Sequence, residues 1–344
     1  MKALKYFSIL ILPIVIYISF TGEGWLTFAA PIVFYGFVPI LEFFLKPNKV
    51  NFTKDQEKAE KNNNLYTYLL YATIPIQIIL LLFFLNTINT PNLSTLEISG
   101  RIFSMGIMST IIGINVGHEL GHRNNKLDEF LGGLLLLSTL NTHFLPYHNG
   151  GHHYNVATPN DAATARKGEI LYLFWIRSHF QSYYQAWGLE NARMKNEGRS
   201  WFHFHNKMVV YSLCTIIFLS SIFYFFGQFT LIAFIIASVI SIAQLETVNY
   251  IEHYGLLRKK NEHGRYEKVK RIHSWNSDHQ VGQILLFNLS RHSDHHFNGA
   301  KPYQLLKTVP ESPQMPAGYP GMMILSFLPP LWFLVMNKKI KEIS

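Results

Sequence analysis

The stretch LYTYLLYATIPIQIILLLFFLN, residues 65–86, contains no charged side chain. A helix rises 1.5 Å per residue, so a run of this length covers the roughly 30 Å hydrocarbon core of a bilayer. Apolar residues occupy every side of that helix, which suits lipid and not the surface of a soluble domain. Comparable runs lie at about 4–21, 25–45, 101–122, 208–227 and 229–250. Together they predict an all-α integral membrane protein with six transmembrane helices, read as a single domain over 1–344. The run at 4–21 is too long for a signal peptide, and no small-residue cleavage site follows it. Composition agrees: only 15% of the 344 residues are charged, against about 25% in soluble domains.

Charge orients the spans. The turns at 22–24, 87–98 and 227–228 contain no Lys or Arg, whereas 46–64 carries Lys46, Lys49, Lys54, Lys58 and Lys61. The long segments 123–207 and 251–344 hold nearly all the other basic residues, and only Arg101 falls near the opposite face. By the positive-inside rule both termini and both long segments are cytoplasmic. The net charge of +9 then reflects cytoplasmic loops. Two shorter apolar runs, 130–145 and 321–336, the latter interrupted by Pro329-Pro330, are expected to be half-buried or interfacial. The single cysteine, Cys214, lies in an apolar run. One thiol excludes a disulfide framework and any built-in iron–sulfur or rubredoxin-type centre, which needs about four thiolates.

All sixteen histidines follow residue 117, so the topology puts every one at or beyond the cytoplasmic end of a span. They cluster. His118 and His122, in HELGH, share one helix face; His148, His152 and His153 lie in YHNGGHHYNVATPND; His292, His295 and His296 lie in LSRHSDHH; His253 ends the sixth span. Neutral imidazoles suit Zn, Cu, Fe or Ni. His118-Glu119-x-x-His122 alone spells a zinc protease, with Glu119 as general base. A catalytic zinc, however, uses about three protein ligands, and nine clustered imidazoles suit two metals. Transport sites lie near the bilayer midplane, whereas these residues sit at its edge. His143, His179, His203, His205, His263, His273 and His279 are scattered and are read as surface groups or as groups that orient ligands.

In this order, GHELGHR (117–123), HNGGHHYNVATPND (148–161), NYIEHYGLLR (249–258) and LSRHSDHH (289–296) resemble the integral-membrane alkane monooxygenases. These are relatives of the membrane fatty-acid desaturases and hydroxylases. HSWNSD (273–278), YQLLK (303–307) and MPAGYPG (315–321) continue the resemblance, which covers about residues 30 to 336. It implies a six-helix enzyme of the bacterial inner membrane with two non-haem Fe ions on the cytosolic side. Such an enzyme hydroxylates the terminal methyl of an alkane with O₂. Motif by motif, the resemblance gives His118, His122, His148, His152, His153, His253, His292, His295 and His296 as the iron ligands. Electrons would come through rubredoxin and its NAD(P)H-dependent reductase as separate proteins, and no nucleic acid is involved. The chain departs from the family pattern at Tyr147, usually acidic; at Arg123, usually lysine; and in ATPNDAA, which keeps Asp161.

A terminal C–H bond offers no charge or acidic proton, so a metal-bound oxidant must supply the chemistry. Glu119, Asp161, Glu252 and Asp294 stand next to ligands and are expected to orient imidazoles. Phe34, Tyr35 and Phe37, on the second span, are expected to line an alkane channel. Arg258, Lys259, Lys260, Lys268, Lys270 and Arg271 form a basic face suited to an acidic redox partner or to anionic lipid. Two alternatives stay open: a related di-iron reaction such as fatty-acyl desaturation, and an intramembrane zinc protease using HELGH.

Overall fold

The computed structural model describes residues 2–343 and is helical throughout. Among the described residues the only extended pairings are the isolated bridges Lys260↔Tyr266 and Asn276↔Gln314. Among the described residues four helices are long and apolar enough to cross a membrane: Lys2–Thr21, Gly24–Phe44, Leu65–Thr87 and Lys207–His253. The last is 47 residues long but leaves helical geometry at Gly227, where φ is 83°. A left-handed residue costs glycine little, so the chain can turn there. Asn89 steadies the break, donating from Nδ2 to the Phe226 carbonyl (3.1 Å) and to Thr230 Oγ1 (2.5 Å).

The chain divides into two compact units. One comprises 2–37, 64–145 and 190–245. Within it the expected span 101–122 forms part of a helical run from Thr95. A π-helical segment, Ser109–Ile114, interrupts that run before Asn115–Gly121. Ser94 and Glu97 close a capping box at its start, and Glu97 Oε1 also accepts the Gly24 N–H (3.0 Å). Hydrogen bonds from Gly24 and Ser94 hold the Glu97 carboxyl down at about 2. Arg101, the exception to the charge pattern, is buried and donates to the Thr87 carbonyl at the end of Leu65–Thr87 (2.5 Å).

The short apolar run near 130 is the helix Lys126–Leu137, which packs against Asn115–Gly121. Glycines permit that approach: a Cβ on Gly132 would stand 2.8 Å from the Gly117 carbonyl oxygen. Small residues let helix backbones approach this closely. Ile114, Leu136, Phe144 and Leu145 fill the core beside the crossing.

The other unit comprises 38–63, 146–189 and 246–343. It holds the end of the second membrane helix, the inner end of Lys207–His253, most of the long helix Leu171–Asn196, and the segments after 253. Glu42, buried near the end of Gly24–Phe44, accepts the Gly282 N–H (2.8 Å), so a membrane helix anchors the turn after His279. The 321–336 run forms two helices, Tyr319–Ser326 and Pro329–Ile343, with Pro329 opening the second, where its missing N–H costs nothing.

Candidate metal centre

The candidate ligand stretch HNGGH (148–152) is π-helical, and the His153 N–H closes it onto the His148 carbonyl. A π turn closes i to i+5, so His148 and His153 come to lie one above the other. Their Nε2 atoms are 3.0 Å apart. His152 points elsewhere. Its Nε2 stands 3.1 Å from His296 Nε2; His296 Nε2 is 2.9 Å from His292 Nε2; and His292 Nε2 is 3.1 Å from His253 Nε2. The ligand nitrogens of these four histidines all lie within 4.8 Å of one another, and all four side chains are buried.

That donor set fits a metal. Imidazoles ligate at about 2.1 Å, which sets neighbouring nitrogens about 3.0–3.4 Å apart. Neutral imidazoles carry one ring proton each, so four convergent Nε2 atoms cannot satisfy one another by hydrogen bonding. Burial and then the surrounding imidazoles hold His296 well below the usual histidine range, which keeps it neutral and its lone pair available.

His295 leaves this group. Its ring lies 4.8 Å from that of His153 and 6.1 Å from that of His148, so the same unit carries a second set, His148, His153 and His295. The two sets adjoin, with the His153 and His296 rings 4.5 Å apart. Adjacent residues on one helix thus serve different sets: His292 and His296 one, His295 the other. In the other unit His118 and His122 pair with their Nε2 atoms 3.0 Å apart, and the His118 ring packs edge-on against Phe144.

The four acidic neighbours differ. Asp161 holds an imidazole: Oδ2 takes His152 Nδ1 (2.9 Å) and the Thr164 hydroxyl (2.6 Å), while Oδ1 accepts from the Tyr147 hydroxyl (2.6 Å). Burial pushes this carboxyl up, but His152, Thr164 and Tyr147 outweigh it and hold it at about 2. Tyr147, the departure from the family pattern, therefore joins the network, and its oxygen also accepts the Ala163 N–H (2.9 Å). Burial, then Asp161, raises the Tyr147 phenol, so it stays a donor.

Glu252 meets an imidazole at its other ring nitrogen. Its Oε2 is 3.2 Å from His292 Nε2, the convergent nitrogen, and Oε1 accepts from the Tyr319 hydroxyl (2.7 Å). Asp294 binds Arg271, Lys301 and the Lys307 N–H, fixing the loop after the ligand helix. Glu119 pairs with Arg123 at 3.5 Å. Of the proposed channel residues, Phe34 is buried with Tyr35 edge-on at 5.0 Å, and Phe37 is exposed.

The fatty acid desaturase family model matches residues 98–326. An alkane 1-monooxygenase from Ectopseudomonas oleovorans is 37% identical over 322 residues, 94% of this chain and 80% of that protein. The chain belongs to the alkane 1-monooxygenase family. Alkane 1-monooxygenase 1 of Alcanivorax borkumensis is 36% identical over 90% of this chain and 77% of its own length. A xylene/toluene monooxygenase hydroxylase component from Pseudomonas putida is 27% identical over 72% of this chain and 66% of its own. Each of the nine histidines in the first four motifs lies in one of the three groups described above. Two features of the site have no sequence signature of this kind. One is the π turn at 148–152, hinted at only by Gly150-Gly151. The other is Glu246, a buried carboxyl on the face of Lys207–His253 that also carries His253.

Proposed function

We propose that the protein is a non-haem di-iron monooxygenase that converts an alkane to its 1-alkanol. The observation that carries this reading is the convergence of four buried Nε2 atoms within 4.8 Å, in a chain 37% identical to an alkane 1-monooxygenase. One iron is held by His152, His253, His292 and His296. His148, His153 and His295 would hold the other, and His118 and His122 are the two further iron ligands proposed.

Iron bound by these residues would supply the oxidising power needed for O₂ cleavage and C–H oxidation. The protein supplies the rest. Asp161 fixes the His152 tautomer so that Nε2 is the ligating nitrogen, and Tyr147 and Thr164 fix Asp161. Burial of the four-histidine set keeps bulk water from the oxidant. Phe34, Tyr35 and Phe37 line the alkane path from the bilayer.

Six spans cross the bacterial inner membrane, with Lys207–His253 contributing two on either side of Gly227 and the helical run from Thr95 contributing one. Both termini and the metal centre face the cytoplasm. Rubredoxin and its reductase deliver the electrons, consistent with a chain whose one thiol, Cys214, cannot build such a centre.

Reduced protein, supplied with rubredoxin and its reductase, should convert octane or hexadecane to the 1-alkanol. It should carry about two irons per chain. Retention of two irons with desaturation of a fatty acyl chain and no alkanol would move the reading to desaturation, which the match to the desaturase family model supports. One zinc per chain, with peptide-bond cleavage, would replace it with the HELGH protease.

A further inference from the structure

The helix Leu171–Asn196 presents an apolar face outward. Tyr172, Leu173, Ile176, Phe180, Tyr183 and Tyr184 are all exposed, none is charged, and their spacing puts them on one side of the helix. The buried side includes Ser178 and Ser182 as well as Leu171, Phe174 and Ala186. A helix whose outer side meets water shows charged and polar residues there instead. Apolar residues occur on the inner side too, so the outward set is separable only once burial is known. Single exposed apolar residues are ordinary, but a contiguous patch marks a surface that something covers.

A second apolar surface adjoins the first. The Tyr172 hydroxyl donates to the Phe327 carbonyl (2.8 Å), and the Trp175 ring meets the Phe327 ring edge-on at 5.9 Å. Just beyond Phe327, Leu328, Leu331 and Leu334 are exposed, Leu334 at 72%. On the helix Pro329–Ile343, Leu331, Leu334, Lys338 and Lys341 follow one another at intervals of three and four residues and form one outward line. That line turns from apolar to basic over about 10 Å of helix, from Leu334 to Lys341. Such a gradient matches the passage from acyl chains to phosphate headgroups, where a lysine lays its stem along apolar surroundings and extends its ammonium outward.

Both helices are fixed to the end of a membrane helix. Trp175 Nε1 donates to Thr247 Oγ1 (3.0 Å), and the Phe174 ring lies 5.3 Å from that of Tyr250. Trp332, on the buried side of Pro329–Ile343, packs 5.1 Å from Tyr250 and 5.3 Å from Tyr254. Thr247 and Tyr250 belong to the last turns of Lys207–His253, and Tyr254 follows directly. The apolar faces therefore continue from the point where that helix ends. We infer that the outward faces of 172–184 and 328–341 form one lipid-binding surface, seated in the bilayer leaflet at which Lys207–His253 ends. The leucines, Ile176 and Phe180 enter the acyl region, while the tyrosines, Lys338 and Lys341 reach the headgroups. This contact holds the unit that carries His148, His253 and His292 on the membrane through surface helices as well as spans. It does not depend on which reaction the metal centre performs.

Nitroxide labels test this in nanodiscs of phosphatidylcholine and phosphatidylglycerol. In a Cys214→Ser background, labels are attached to Ile176→Cys, Phe180→Cys, Leu334→Cys, Lys341→Cys and, as a control on an exposed loop, Glu262→Cys. Dissolved O₂ concentrates in lipid, and a charged nickel chelate stays in water. Labels at 176, 180 and 334 should be several-fold more accessible to O₂ than to the chelate, and labels at 341 and 262 should show the opposite preference. Chelate preference at 176 and 334 would place the face in water. Exclusion of both reagents would mean that a second copy or another protein covers it, and either result overturns the inference. A second measurement needs no substitution. Wild-type protein photolysed with a phospholipid carrying a diazirine in its acyl chain should acquire adducts on 172–184 and 328–334, as on Leu65–Thr87, and none on 258–268. Adducts on Leu65–Thr87 without adducts on the two proposed segments would likewise overturn it.

Discussion

Asp161 Oδ2 lies 2.9 Å from His152 Nδ1, and both residues are buried. The bond selects which imidazole nitrogen is free to meet a metal. Replacing Asp161 with Asn leaves the shape but lets the amide present its NH₂ to Nδ1, favouring the wrong tautomer. Metal affinity at the four-histidine set should fall about 10- to 100-fold, the usual weight of such a partner. Tyr147→Phe removes one bond to Asp161 and should cost about 1 kcal/mol, or several-fold in affinity. Co(II) titration of the metal-free protein reads both, and equal affinities for Asp161→Asn and wild type would exclude the tautomer role.

His295 and His296 are adjacent in sequence, yet they face different sets. His296→Ala should therefore lose the metal held with His152, His253 and His292, and His295→Ala the metal held with His148 and His153. Iron analysis should give about one iron per chain in each variant, and Mössbauer spectra of the two residual irons should differ. Identical residual spectra would mean that the two histidines serve one site.

Gly121 abuts a core side chain: a Cβ there would fall 2.0 Å from Leu145 Cδ2. Gly132 is confined by the Gly117 carbonyl, which does not move as easily as a side chain. Overpacking of this kind costs about 1–3 kcal/mol, so Gly132→Ala and Gly121→Ala should both lower the thermal midpoint in detergent. Gly36 is the control: a Cβ there would meet nothing within 4 Å, so it should tolerate alanine.

His273 is buried, accepts the Lys270 N–H at Nδ1 and has Glu267 3.4 Å from Nε2. Burial outweighs Glu267 and lowers its proton affinity from the ordinary value of 6.5. The unfolded chain therefore takes up a proton near 6.5 while the folded chain does not. Stability should be insensitive to this group above that pH and should fall as pH drops below it. The slope is at most about 1.4 kcal/mol per pH unit for one proton. His273→Asn should flatten denaturation midpoints between pH 6.5 and 5 relative to the wild type. An equal slope in both proteins would show that His273 does not contribute.

Legibility follows the range of the interactions. The run 65–86 and its counterparts are readable because burial in lipid is a property of one helix and its length. The helices Leu65–Thr87 and Lys2–Thr21 begin and end within a few residues of the expected bounds. The helix Leu171–Asn196 is not readable in this way, because its mixed polar and aromatic faces carry neither a membrane signal nor one clean stripe.

The sequence by itself determined the chemistry: nine imidazoles in spaced clusters, one thiol, and apolar runs long enough for a bilayer. Only the tertiary structure decided the partition. Whether His152 joins His153 or His296 depends on a π turn, and whether Tyr147 supports Asp161 depends on a loop folding back fourteen residues later. The burial of Glu246 is likewise invisible in sequence, since a single carboxyl in an apolar run gains meaning only from its neighbours. Spacing fixes which residues share a helix face, but the convergence of Nε2 atoms from separate segments is set by packing between those segments.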